Sequence, residues 1–540
     1  MCGINGVIWR RAAPENREAI IQSMNDALAH RGPDDSGTWQ SAQVDLGHRR
    51  LCVIDTSEAN RQPMCSADGD HVLVYNGEIY NYRELRKTLE DMGHCFRTSG
   101  DTEVLLAGFS AWGMEVFSRC NGMFAAAIYT QSTETLILAR DRLGIKPLFY
   151  AWHQGTFSFS SEMGPLCQHS LADMTSNGDA LHDYLQYLYI PAPQTIYRGI
   201  SKLLPGHCLV FRRGEWEEKA YWNLDYAPDA SWTMAGAAEE LRHLLDDSVR
   251  LRERSDVPLG AFLSGGLDSS AVVATLSQQR NAPLKTFSIG FDAPGANELP
   301  YARAVAERFG TEHHEAVLSP DLTEVLPELV AHMGEPFADS SMLPMWLVSR
   351  LAREEVTVAL SGDGGDELFA GYTWAHMALR AGRYRQVPAS IRKGVGALLG
   401  LFPHNARWNR YRRFQADSFR TPMGAFQRRL TCFDEDSRTA LLGVPRGEDS
   451  SFAACWNGGG ALDEGTRMLR VDTHRYLPDD ILAKVDRMSM AHGLEARVPL
   501  LDHRIVEFAA TLPFALKYQQ GQSKRVLKQA MAGVLPPSAL

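Results

Sequence analysis

Ser264-Gly265-Gly266-Leu267-Asp268-Ser269-Ser270 lies between an apolar run at 257–263 and an apolar helical pattern that continues to 276. A strand that feeds a glycine-rich turn and then a helix leaves backbone N–H groups unpaired at the turn and at the helix start. Together they form an anion cradle. The loop is not a Walker A sequence, because the closing Lys-Ser/Thr pair is absent. Around it strand and helix patterns alternate. A helix is expected at 237–251, strands at 285–291, 312–318 and 356–360, and a helix at 299–309. That alternation predicts an α/β unit with a doubly wound parallel sheet. From 374 onward the pattern is mostly helical.

A second glycine-rich loop, Leu360-Ser361-Gly362-Asp363-Gly364-Gly365-Asp366-Glu367-Leu368-Phe369-Ala370-Gly371-Tyr372, also follows a predicted strand. Its acidic pairs call for a cation or a developing positive charge nearby. The bland alternative is a solvated or calcium-like loop, but the acceptors do not have EF-hand spacing. Ligands of an open α/β sheet bind at the carboxyl ends of its strands. Ser288-Ile289-Gly290-Phe291 and Leu263 lie at such ends.

The first 210 residues follow a different pattern. Short alternating segments at 72–75, 124–129, 136–139, 156–159 and 208–211 read as strands broken by Gly, Asn and Asp turns. Helical patterns intervene at 18–29, 82–92 and 102–112. An α+β layered domain with mainly antiparallel sheets is expected. Domains are therefore expected at 1–215 and 237–540, with a linker of weak periodicity at 216–236.

Bulk properties exclude several classes. The chain has 540 residues, enough for a large core without disulfide or metal staples. The formal net charge of -10 argues against a nucleic-acid scaffold. None of the nine cysteines forms a C-x-x-C pair, which argues against a zinc knuckle and suits a reducing compartment. No apolar run reaches the roughly 18 residues of a membrane span, and no secretory leader is legible. A cytoplasmic protein is expected.

Cys2 directly follows the initiator methionine. Removal of Met1 would place a thiol and a free α-amino group on one residue. An α-amino group titrates at about 7.7–8.0 and can serve as a base near neutrality. That is nucleophilic catalysis with its base built in.

Four motifs surround it: His30-Arg31-Gly32-Pro33-Asp34, Gly47-His48-Arg49-Arg50-Leu51, Tyr75-Asn76-Gly77-Glu78-Ile79-Tyr80-Asn81 and Ser99-Gly100-Asp101-Thr102-Glu103. With Cys2 they resemble the class II glutamine amidotransferase domain, an Ntn-hydrolase αββα sandwich. The resemblance implies that Cys2 attacks the glutamine side-chain amide. It implies that the Asn76 side chain and the Gly77 N–H stabilise the oxyanion. It also implies that Arg50 binds the substrate carboxylate as a planar fork, and that Glu78 and Asp101 hold its ammonium. Asp101 is also expected to cap the helix that follows. Arg31 and Arg49 are open to a functional or a structural reading.

The 264–270 loop matches the pyrophosphate loop of ATP pyrophosphatases, and the 360–372 loop resembles that of the glutamine-hydrolysing asparagine synthetases. Glu335-Pro336-Phe337-Ala338-Asp339-Ser340, Leu482-Ala483-Lys484-Val485-Asp486-Arg487-Met488-Ser489-Met490 and Gly493-Leu494-Glu495-Ala496-Arg497-Val498-Pro499 extend that resemblance. It implies ATP contacts from Leu263, Ser264, Gly265, Gly266, Asp268, Ser269, Ile289, Ser361 and Gly362, and Mg²⁺ on Asp268 and Asp366. It implies a role for Asp363 in ammonia attack on an acyl-adenylate, although close relatives often carry Glu there. Lys484 or Arg487 would stabilise pyrophosphate or the adenylate transition state. The implied acceptor is L-aspartate, the alternative being a natural-product or nonproteinogenic carboxylate. A dormant scaffold is disfavoured by the intact Cys2, Asn76, Asp101, Asp268 and Asp366. The resemblance further implies a homodimer; relatives usually run several tens of residues beyond the position of Leu540, through a tail that is either missing here or naturally absent.

Overall fold

In the computed structural model residues 2–10, 13–291, 297–318, 322–403, 405–446 and 449–540 are described. Two six-stranded antiparallel sheets face each other in the first half. One runs Ile200–Lys202, Phe149–His153, Thr156–Ser160, Gly3–Trp9, Val44–Arg50 and Asp35–Gln40 in spatial order. The other runs Glu215–Ala220, His207–Arg212, Thr135–Arg140, Gly122–Thr130, His71–Ile79 and Met64–Cys65. The period of two in each strand sorts its side chains. Ile4 and Ile8 point between the sheets, and Val7 and Trp9 point to the helix side. Val72 and Val74 likewise enter the inter-sheet core, while Leu73 and Tyr75 pack outward. The helix Arg17–Asp26 covers one outer face, and Tyr82–Asp91 and Asp101–Trp112 cover the other. The result is the expected αββα sandwich.

The second half is built on a five-stranded parallel sheet in the order Glu312–Leu318, Lys285–Phe291, Leu259–Phe262, Val358–Leu360 and Glu495–Arg497. Leu259 and Ala261 pack on one face with Val272 and Val273 of the helix Leu267–Gln279. Phe262, Phe287 and Ala359 pack on the other with Val348 and Val485. Helices thus cover both faces, as a parallel sheet requires. A largely helical region follows from Thr373. The apolar cluster around Ala261 and Leu501 is continuous with Leu51, Val53 and Tyr80, so the two halves share one core. Among the described residues no helix is long and apolar enough to cross a membrane.

The structure corrects three expectations. Residues 216–220, assigned to the linker, pair with His207–Arg212 as the edge strand Glu215–Ala220 of the first domain. The far end of the linker is also helical, since Met234–Arg252 opens behind a Thr233 cap. Asn76 and Gly77 do not end their strand in a turn. The ladder with Gly122–Thr130 runs on through Asn76↔Ala125 and Gly77↔Phe124 to Ile79, and backbone pairing overrides the local turn preference. Asp101 is the first residue of its helix rather than its cap, and Gly100 occupies the cap position.

Candidate active sites

Cys2 is buried at the head of the strand Gly3–Trp9. Its backbone N–H donates to Asn76 Oδ1 at 2.9 Å. That bond orients the Asn76 amide and leaves Nδ2, also buried, with no partner among the described residues. A buried donor without an acceptor is costly in an empty site and useful when an oxyanion forms beside it. Burial pushes the Cys2 thiol up, against the pull of Arg50, so the nucleophile needs a base. The nearby His48 does not fit that role. Burial drives it down to about 3, and its Nε2 lies 3.2 Å from Tyr75 O.

Arg50 is fixed by two carbonyls, Ser57 O at 2.9 Å from Nη1 and Asp55 O at 2.5 Å from Nη2. Arg49 donates from Nε to Gly32 O at 3.2 Å. Asp101 Oδ2 accepts from Tyr75 Oη and from Ile79 N, each at 2.9 Å. Glu78 is buried, and its Oε2 has no partner among the described residues. Burial pushes Glu78 well above the carboxylate range, with Glu495 and Asp101 adding to it. Such a cluster of carboxylates is suited to receive an ammonium. Glu495 and Arg497 come from the second half of the chain. They sit fully buried on its edge strand, with Arg497 Nε 2.6 Å from Glu495 Oε1 and Nη2 3.9 Å from Glu78 Oε1. The motif that carries them is visible in the sequence, but nothing local signals that it reaches Glu78 of the other domain.

At the carboxyl edge of the parallel sheet the two glycine-rich loops meet. A Cβ on Gly362 would lie 2.4 Å from Ser269 N, and one on Gly365 would lie 2.5 Å from the Asp268 carboxylate oxygens. Only glycine allows this approach. Within the first loop Ser264 Oγ and Ser269 Oγ lie 2.9 Å apart, and Gly266 N donates to Ser264 Oγ at 3.3 Å. In the second, Ser361 Oγ donates to Asp363 Oδ2 at 2.5 Å. Lys524, absent from the sequence reading, bridges the loops. Its Nζ lies 2.5 Å from Asp268 Oδ2 and 2.8 Å from Asp366 Oδ1. Burial pushes Asp268 up to about 6 despite that lysine, and Asp268 Oδ1 has no hydrogen-bond partner among the described residues. Two carboxylates on facing loops, one of them with a spare buried oxygen, offer the oxygen donors that a hard divalent cation takes.

Beside the loops opens a cavity of about 330 Å³. Its walls include Leu263, Ser264, Ile289, Asp363 and Lys484, so five of the expected residues share one space. Lys484 projects from Leu482–Met490, which continues the wide-turned π segment Asp472–Ile481. Its Nζ lies 2.5 Å from Asp339 Oδ2 and 2.6 Å from Ser341 Oγ. Arg487, one turn on, takes different partners. It meets Glu162 of the first domain at 2.7 Å and lies over the Phe149 ring. Of the two candidate cations, Lys484 therefore lines the 330 Å³ cavity. Arg487 borders a smaller interdomain cavity of about 30 Å³, with Ile145, Phe149, Lys202, Glu335 and Leu482.

Residues 1–222 match the glutamine amidotransferase domain family, and residues 240–540 match the asparagine synthase family. "Asparagine synthetase [glutamine-hydrolyzing] 1" of Bacillus subtilis is 34% identical, with 100% of this chain and 85% of that protein covered. "Putative asparagine synthetase [glutamine-hydrolyzing]" of Mycobacterium tuberculosis is 35% identical, covering 100% and 86%. "Amidase chry2" of Gibberella zeae is 27% identical, covering 98% and 86%.

Proposed function

The chain belongs to the glutamine-hydrolysing asparagine synthetase family, and from that premise we infer that it converts L-aspartate to L-asparagine at the expense of glutamine and ATP. Cys2 attacks the glutamine amide after Met1 is removed, with its own α-amino group as base. Asn76 Nδ2 and the Gly77 N–H receive the oxyanion. Arg50 takes the substrate carboxylate, and Glu78 with Asp101 takes its ammonium. Ammonia crosses the interdomain cavity. In the second domain Ser264, Gly265, Gly266, Ser269, Ser361 and Gly362 hold the nucleotide phosphates, and Leu263 and Ile289 hold the adenine. The aspartate carboxylate attacks the α-phosphorus and pyrophosphate leaves. Ammonia then displaces AMP from the acyl-adenylate, giving the amide. Lys484 stabilises the charge that develops at the phosphorus, and Asp363 accepts a proton from the attacking ammonia.

Asp268 and Asp366 would hold Mg²⁺, which supplies charge neutralisation on the phosphates. The spare Asp268 Oδ1 supports that assignment. The net charge of -10 supports a protein that does not bind nucleic acid. A homodimer and a cytoplasmic location complete the reading on family grounds.

One observation carries the proposal: Lys484 and Asp363 share a cavity with Leu263, Ser264 and Ile289. The test is ATP–pyrophosphate exchange across a panel of carboxylic acids. Aspartate-dependent exchange, with AMP as the nucleotide product, is the expected result. Exchange with another acid and none with aspartate would overturn the acceptor.

A further inference from the structure

Arg31 is fully buried and none of its nitrogens is idle. Nε donates to Cys2 O at 3.1 Å. Nη1 donates to Asp486 Oδ2 and to Glu162 Oε1, each at 2.8 Å, and Nη2 donates to Asp486 Oδ1 at 3.1 Å. The two bonds to Asp486 form a bidentate fork, the geometry that best fixes a guanidinium plane. Asp486 belongs to the other domain and sits on Leu482–Met490, two residues after Lys484. Lys146 Nζ, 3.2 Å from Asp486 Oδ1, closes the cluster. A short rigid path therefore runs from the backbone of the nucleophilic residue, through one guanidinium, to the helix that lines the nucleotide cavity.

We propose that Asp486 is a positioning residue for glutamine hydrolysis: it holds Arg31 on the Cys2 carbonyl, and so ties the nucleophile to the helix that carries Lys484. The carbonyl is bonded to the same Cα as the thiol-bearing Cβ and the α-amino nitrogen. Fixing it fixes the thiol and its base relative to Asn76. Glu162 alone cannot do this. It offers Arg31 a single oxygen, which it shares with Arg487 and with His30 Nε2 at 3.1 Å. Asp486 supplies the second anchor. Because that anchor is a feature of the synthetic half, displacement of the Lys484 helix is felt at Cys2.

The inference rests on the glutaminase assignment made above, and the test separates the two. Asp486→Asn keeps shape and removes the charge. Its kcat for glutamine hydrolysis is expected to fall about tenfold to a hundredfold, as a misplaced reacting group does, with KM nearly constant. Ammonia-driven amide synthesis is expected to stay within about twofold of wild type. Asp486→Glu, which retains a carboxylate, is expected to recover part of the loss. Arg31→Lys, which keeps the charge but loses the fork, is expected to repeat the Asn phenotype and serves if Asp486→Asn does not fold. Unchanged hydrolysis would overturn the proposal. So would equal losses of the glutamine- and ammonia-driven reactions, the mark of a purely structural role. If wild type makes amide from neither nitrogen donor, the proposed function fails, yet the effect on glutamine hydrolysis remains readable.

Discussion

Lys524 Nζ lies 2.5 Å from Asp268 Oδ2, across 256 residues of sequence. The ammonium holds together two loops whose carboxylates would otherwise repel each other. Lys524→Met is expected to raise the Asp268 pKa further and to lower ATP–pyrophosphate exchange by about a hundredfold. Glutamine hydrolysis should be untouched, which a glutaminase assay without ATP checks.

Replacing the nucleophile separates the two half-reactions. Cys2→Ala is expected to abolish glutamine-driven synthesis and to leave ammonia-driven synthesis near wild type, measured as amide formed from each donor. Parallel loss with both donors would show that the sites are not independent.

Asn76→Ala removes the spare buried amide donor beside Cys2. Loss of one oxyanion donor lowers kcat by about a hundredfold to a thousandfold. A binding role alone would raise KM instead, so steady-state hydrolysis kinetics distinguish the two.

Gly362→Ala introduces a methyl group against Ser269 N, a backbone atom that cannot swing aside. The loops must part. ATP–pyrophosphate exchange is expected to drop by more than about tenfold, with unchanged glutamine hydrolysis, because misplacement by about 1 Å is that costly.

Asp339 supplies a pH dependence. Burial alone would raise its pKa, but Lys484 wins and holds it at about 2, against 3.8 for an ordinary aspartate. A depressed folded-state value means that the stability it contributes is fully present above pH 3.8 and is lost as pH falls through 2. The shift corresponds to about 2 kcal/mol. Asp339→Asn is therefore expected to lower the urea midpoint at pH 7, and the gap to wild type should close between pH 4 and pH 2.

Where a feature is written in local periodicity, the sequence was a good guide. The strand 285–291 and the helix 299–309 stand where the alternation put them. Both glycine-rich loops sit at strand ends, as the apolar runs before them indicated. Asn76 and Gly77 misled because their turn preference is local, whereas the ladder that overrides it is supplied by Gly122–Thr130. The strand Glu495–Arg497 is too short for a period-two signal and lies in a region that reads as helical. Lys524 and the Arg31–Asp486 fork were beyond reach for another reason. Their meaning lies in contacts between segments hundreds of residues apart, and no spacing rule encodes such a pairing.

The placement of Glu495 and Arg497 bears on how such chains can be recombined. A gene fusion that takes its first half from one relative and its second from another would set Glu78 beside a foreign edge strand. Working hybrids should be those that carry the segment 484–497 along with the donor of Arg31 and Glu78, so in this molecule the unit of inheritance is not the domain.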